Sequence, residues 1–273
     1  MMGEQHKSDI IDDLALIAHE FRIPIDIISK SAELVNKAQE KDSIEKDKLH
    51  VIMDGIIKNC HRMNLLTSQV ICIAQAENNA LKIIVEKNNV EQFFKKIEEY
   101  LAPFQKRYNV KFTFKVNFKE PYIVSDFKKI ETILLNLISN AVKYSKDIDR
   151  HITVKCFDCE EGDFICFSVK DRGIGISEQE KEKIFSKFYR SERFNTRQTE
   201  GSGLGLAIVK KFVDILGGKI SVESQPDKGS EFIVTIPRNQ NKTLSPMKVV
   251  EAPLGYTTFK TSVEEVFAAI REV

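Results

Sequence analysis

An excess of either charge is missing from this chain: 41 lysines and arginines stand against 40 aspartates and glutamates, a formal net charge of +1. Without a basic footprint there is nothing to hold a polyanion, so nucleic-acid binding is not expected. Long hydrophobic runs are missing too. No apolar stretch approaches the ~18 residues that a spanning helix requires, and no secretory signal is recognisable, so the chain reads as cytoplasmic with no membrane segment. Cysteine is scarce and odd in number, five in 273 residues, which argues for a reducing interior rather than a disulfide scaffold. Cys156 and Cys159 spell a CxxC, yet a structural zinc site takes four ligands and no second pair follows at metal spacing. They read as cysteines in and beside a strand.

What is present is an apolar fraction of 42%, enough for a real core, in a length that suits about two domains. Near the N-terminus Ile10, Leu14, Ile17, Phe21, Ile28 and Val35 recur at spacings of three and four, with Pro24 and Ser31 in the gaps. This is a helical seam over about Asp9 to Ala38, roughly 45 Å long, which Pro24 is expected to kink. His19 falls two places past Ile17 and projects toward water, with Glu20 beside it. The charged run from Gln39 to Lys46 reads as a solvated turn. A second stripe, Leu49, Ile52, Ile56, Cys60, Met63, Leu66, Val70 and Ile73, makes the other arm of a hairpin. Such a hairpin has too little core to stand alone, and pairing with a copy of itself completes a four-helix bundle, so a homodimer is expected.

Near Glu77-Asn78-Asn79 the pattern changes to short strands (Leu81 to Glu86, Val110 to Val116, Ile152 to Phe157, Phe164 to Val169) alternating with helices, an α+β unit. The helix from about Asp126 to Tyr144 buries Ile130, Ile133, Leu134, Leu137, Ile138 and Ala141. Its other side carries Asn136, Asn140, Lys143 and Tyr144. An asparagine oxygen suits Mg²⁺ that already carries phosphates, and lysine adds a point charge for phosphate oxygens; a solvated face would look the same. After the next strands comes Asp171 with Gly173 and Gly175. That acid can accept from an amino group while the glycines let backbone approach a flat ring, or the segment is a plain turn. Gly201, Gly203 and Gly205 open a helix that runs to about Leu216, an anion site by geometry. Between the glycine segments lie Phe185 to Arg190 and the polar run Ser191 to Glu200, read as a lid with Arg190 reaching phosphates.

With these segments in order, the chain resembles the catalytic core of sensor histidine kinases over about Ser8 to Arg238. The resemblance rests on His19-Glu20 with Arg22 and Pro24, on Asn136-Leu137 with Asn140-Ala141 and Lys143-Tyr144, and on Asp171 with Gly173 and Gly175. Phe185 to Arg190 and Gly201 with Gly203 and Gly205 complete it. It implies a helical dimerisation and phosphoacceptor hairpin (residues 1–78), then an ATP-binding sandwich of the gyrase, Hsp90, kinase and MutL type (79–238), and a tail (239–273) of unknown role.

Under that resemblance Asp171 reads the adenine amino group, Asn140 holds Mg²⁺, Asn136, Lys143, Tyr144 and Arg190 line the phosphates of ATP, and the three later glycines close on them. Glu20 holds one imidazole nitrogen so that the other attacks the γ-phosphate. The implied partner is the receiver domain of a response regulator; no receiver is fused, and no sensor fits in the residues before the first helix. The chain is then either the cytoplasmic part of a longer membrane sensor or a kinase signalled through a partner.

The family has threonine or asparagine four residues after the histidine, where this chain has Ile23, so weak phosphatase activity is expected. The tail holds a short amphipathic helix at Ser262 to Val273. A nucleotide-gated scaffold without turnover is the competing reading.

Overall fold

A computed structural model describes residues 2–39, 46–78, 80–146, 150–159, 162–191, 201–240 and 249–251, without the side chains of 2–10, 38–39 and 249–251. The solvated turn after Gln39 and the lid after Ser191 lie almost wholly outside these residues, and the helix expected at Ser262 to Val273 lies wholly outside them.

Two helices, α1 (Met2–Gln39) and α2 (Lys46–Glu77), form the hairpin. Asp13 of α1 and Glu77 of α2 share one lysine, while Glu20 meets Arg62, so the arms run antiparallel. Pro24 does not end α1; it is buried at the seam with Ile17, Phe21, Ile28 and Val35 partly covered around it. Leu14, expected in that seam, is instead 59% exposed. At 100° per residue Ile11, Leu14 and Ile25 fall on the side of α1 opposite Glu20, and Met53, Ile57 and Ile71 fall on the side of α2 opposite Arg62 and Gln69. All six are exposed in the single chain. Leu16, Ile27 and Leu34 form a second exposed stripe, within about 40° of Glu20 around the same helix. Among the described residues no helix is long and apolar enough to cross a membrane.

The remainder is an α/β sandwich. Its main sheet has the order β2 (Lys111–Asn117), β4 (His151–Asp158), β5 (Phe164–Lys170), β7 (Ser230–Pro237), β6 (Lys219–Ser224); β2 and β4 are parallel and the other pairs antiparallel. Strand alternation sends Ile152, Val154 and Cys156 inward from β4 and Phe232, Val234 and Ile236 inward from β7. They meet α3 (Val90–Arg107), α4 (Phe127–Tyr144) and α5 (Gly205–Ile215), and Phe94 of α3 stacks on Phe167 of β5 with ring centroids 5.9 Å apart. The six residues expected to face inward from α4 are all buried.

A smaller sheet, β3 (Tyr122–Ser125), β1 (Ile83–Asn89), β8 (Val249–Glu251), joins the end of α2 to the sandwich, with β8 of the tail parallel to β1. The tail is anchored before that strand by Gln240, fully buried, which donates to the Leu216 carbonyl and accepts from the Asp126 N–H. Cys159 is joined to Cys166 by a disulfide across the β4–β5 hairpin, whereas Cys156 is a buried free thiol. The expectation of reduced cysteines therefore does not cover this pair, seven positions apart, which the β4–β5 pairing brings together and the CxxC spacing conceals.

Candidate active site

The site begins at the C-terminal end of α4. Asp126 caps the helix start by accepting from the Lys129 N–H, and eighteen residues later the Ile174 N–H donates to the Tyr144 carbonyl at 3.2 Å. That bond lays the segment after β5 against α4 so closely that a Cβ on Gly173 would stand 2.2 Å from the Tyr144 oxygen. Only glycine fits there.

Asp171 enters at the same point from the end of β5 and is 6% exposed. Its Oδ1 accepts from the Gly173 and Ser230 N–H groups at 2.7 and 3.2 Å, so Oδ2 is left for a ligand donor. Burial raises its pKa to about 6, and the two backbone donors pull the other way. Gly175, at φ +66°, packs on Gln225. Around the carboxylate lies a cleft whose lining includes Ile174, Ile176, Ile184, Leu206 and Phe232, with Asn140, Glu180, Tyr189 and Arg190 also on its wall. An aminopurine offers an apolar ring for the first set and an amino donor for the free Asp171 oxygen. At the rim the Ser177 hydroxyl donates to Glu180 and holds that carboxyl below its usual range.

A second cleft continues from the first through Asn140, Tyr144 and Arg190, and is lined by Asn136, Lys143, Gly201, Gly203 and Gly205. The structure thus gathers Asn136, Asn140, Lys143, Tyr144, Asp171, Gly175, Arg190 and the three later glycines around one continuous space, while Gly173 stands beside it as a donor to Asp171. Asn136 is oriented by its amide donating to the Thr132 carbonyl, and Lys143 lies 4.9 Å from the centre of the Tyr144 ring. The helix of the glycine segment starts at Gly205, later than expected, and Gly203, at φ +71° against the Phe188 backbone, lets the loop before it turn. The donor set fits a nucleotide: backbone N–H groups at a helix start, a lysine and an arginine for phosphates, and an Asn140 oxygen for a hard cation such as Mg²⁺.

His19 is exposed on α1, as read from its place off the seam. Glu20 turns toward two cations here: among the described residues Oε2 accepts from Arg62 at 3.5 Å and Oε1 lies 3.8 Å from Arg190, where the resemblance implied His19 as its partner. Adjacent helix residues point about 100° apart, so when one faces water the other turns inward. Sequence reasoning missed Arg62 and Gln69, which line the second cleft from α2; Gln69 accepts from the Ser202 hydroxyl in the glycine loop at 2.9 Å. The available signal was two polar residues on the same helical face as Leu66.

Residues 125–240 match the family described as histidine kinase-, DNA gyrase B-, and HSP90-like ATPase. The sensor protein RprX of Bacteroides fragilis (strain YCH46) is 29% identical over 237 residues, 86% of this chain and 44% of that protein. The chain therefore spans less than half the length of this relative. The structure of full-length ShkA in complex with AMPPNP superposes with a TM-score of 0.60 at 25% identity, covering 83% of this chain and 45% of ShkA. That of histidine kinase ThkA in complex with the response regulator TrrA has a TM-score of 0.57 at 22% identity, covering 88% and 65%, and shares the fold.

Proposed function

Because residues 125–240 belong to the histidine kinase-, DNA gyrase B- and HSP90-like ATPases, we propose that this chain is the core of a sensor histidine kinase, moving the γ-phosphoryl group of ATP to a histidine and then to a response-regulator aspartate. Residues 1–78 serve as dimerisation and phosphoacceptor unit, 79–238 as ATP-binding unit, and 239–273 as a tail.

Asp171 accepts from the adenine amino group, and Lys143, Arg190, Asn136, Tyr144 and the Gly201–Gly205 loop hold the phosphates. Asn140 would hold Mg²⁺, which when bound would supply charge neutralisation at the phosphate oxygens. An unprotonated ring nitrogen of His19 attacks the γ-phosphorus; the N–P bond forms as the bond from phosphorus to the leaving oxygen breaks, and ADP departs with that electron pair. The apolar faces of Ile11, Leu14, Ile25, Met53, Ile57 and Ile71 support a homodimer, since a partner hairpin would cover them. The receiver partner is supported by analogy with ThkA and TrrA.

One observation carries this reading: Arg190, on the phosphate side of the cleft, reaches Glu20, the neighbour of His19. Incubation with γ-labelled ATP tests it. An acid-labile, alkali-stable label, absent from His19→Gln with ATP affinity kept within a few fold, is the expected result. An acid-stable label means a hydroxyl acceptor, and no label means the scaffold without turnover.

A further inference from the structure

We propose that Arg62, on α2 of the hairpin, contacts the terminal phosphate of a bound triphosphate, and that Glu20 occupies this guanidinium until the triphosphate arrives. The proposal rests on the kinase reading above and deepens it, giving the hairpin a part in telling ATP from ADP.

Arg62, Leu65, Leu66 and Gln69 of α2 line the phosphate-side cleft together with Lys143, Arg190 and the glycine loop. They stand at positions i, i+3, i+4 and i+7, so one face of α2 forms that wall. Gln69 accepts from the Ser202 hydroxyl at 2.9 Å, which sets the glycine loop against the same face. Three cations, Arg62, Lys143 and Arg190, stand on the lining, and among the described residues no aspartate or glutamate does. Such a cleft favours an anion of more than one charge. Asp171 lies on the first cleft and Arg62 only on the second, while Asn140, Tyr144 and Arg190 belong to both. A nucleotide with its ring at Asp171 therefore runs its phosphates past Asn140, and the last of them comes nearest to α2.

Arg62 is 5% exposed, so its charge needs a counter-ion, and Glu20 supplies one loosely. The Glu20 oxygens stand 3.5 Å from Arg62 and 3.8 Å from Arg190, whereas a charge-assisted N–H···O bond closes to about 2.7–2.9 Å. A terminal phosphate brings about two charges and three acceptor oxygens against the single charge of the carboxylate, and a planar guanidinium fork matches it. A triphosphate that reaches both arginines displaces Glu20, so binding of ATP and release of the acid next to His19 become one event. ADP, shorter by one phosphate, leaves the Glu20 contacts in place.

The test is calorimetric titration, with Mg²⁺ present, of ADP and of the β,γ-imido analogue of ATP, a triphosphate whose last phosphoryl group is not transferred. Every chain in a sample carries the same substitution, so the readout is the same whichever copy's hairpin faces a given cleft. Glu20→Leu with Arg62→Met removes both charges without stranding either, and should weaken the triphosphate about tenfold and ADP less than about twofold. Glu20→Gln should act in the opposite direction, tightening the triphosphate about threefold with ADP unchanged, because the competing charge is gone. A merely structural pair would move both nucleotides together. Equal loss of both in the double variant, no change in either, or a Glu20→Gln chain that gains nothing for the triphosphate overturns the proposal and leaves the kinase reading intact. An unmodified chain that binds neither nucleotide overturns the kinase reading itself.

Discussion

The Glu20 carboxylate stands 3.8 Å from the Arg190 guanidinium, joining the helix that carries His19 to the segment that borders the phosphate-side cleft. Arg62 lies on the other oxygen of the same carboxylate, and its side chain is 6% exposed. In this arrangement the acid beside the histidine is occupied by two cations and withheld from the imidazole.

Removal of Glu20 therefore leaves the buried Arg62 charge without its carboxylate. Glu20→Ala is expected to destabilise the chain by about 3 kcal/mol, the scale for breaking a buried pair. A double replacement, Glu20→Leu with Arg62→Met, removes both charges and should recover most of that loss. Urea unfolding of the single and double variants checks it; a double variant no better than Glu20→Ala would show that the pair is not what couples these sites.

Asp171→Asn should weaken ATP binding by about 1 to 3 kcal/mol, because an amide can present a donor to the adenine amino group where an acceptor is required. Since burial sets the pKa of Asp171 at about 6, protonation replaces the acceptor with a hydroxyl as pH falls through that value. ATP affinity of the unmodified chain, read by titration between pH 5 and pH 8, should drop on the acid side, and the Asp171→Asn chain should lack that drop. The effect on folding has the opposite sign: with its pKa raised above the unfolded value, Asp171 favours the fold at low pH and that contribution disappears as pH rises through about 6.

Glu131 of α4 is 3% exposed, its Oε1 has no hydrogen-bond partner, and burial raises its pKa to about 7. The folded state favours the neutral acid, so stability is fully present below the usual carboxylate range and declines as pH rises to about 7. Glu131→Gln should accordingly raise stability at pH 8 by about 3 kcal/mol and change it little at pH 4. Unfolding curves at the two pH values decide; an equal shift at both would assign the gain to packing instead of charge.

Ile23 lies one turn beyond His19 and is partly buried on α1. It can neither donate nor accept a hydrogen bond, so it cannot orient a water for dephosphorylation of a regulator, and poor alignment of one reactant can cost on the order of a hundredfold. Ile23→Thr is expected to raise phosphatase activity more than it changes autophosphorylation. The assay follows decay of purified phospho-regulator with this protein and ADP; brisk decay that the substitution leaves unchanged would mean that another group positions the water.

The elements legible in the sequence are those whose information is local. The inward face of α4 follows from the spacing of Ile130 through Ala141, and its capping acid is Asp126 itself. The residues around the candidate site could be gathered because each sits at an element end that turn and helix chemistry marks: Asp171 past β5, Asn140 near the end of α4, Gly201 to Gly205 before α5. The edge strand β2 was legible as Val110 to Val116, but two other edge strands were not. β3 and β6 lie at sheet edges, where one covered face leaves a mixed polar pattern such as Lys219–Ser224. The tail strand β8 depends on an open edge of β1 more than a hundred and sixty positions earlier in the chain.

By itself the sequence determined the two helical arms, the inward faces of the sandwich helices and the residue types that can hold a nucleotide, because periodicity and turn chemistry act within a few residues. Only the tertiary structure decided which partners those residues take. Glu20 meets Arg62 across 42 positions and Ser202 meets Gln69 across 133, and neither pairing leaves a trace in spacing. The rotation of α1 that turns His19 outward also turns Glu20 into the groove where two guanidinium groups wait, and that choice is made by packing between the hairpin and the sandwich, which no stretch of the chain encodes alone.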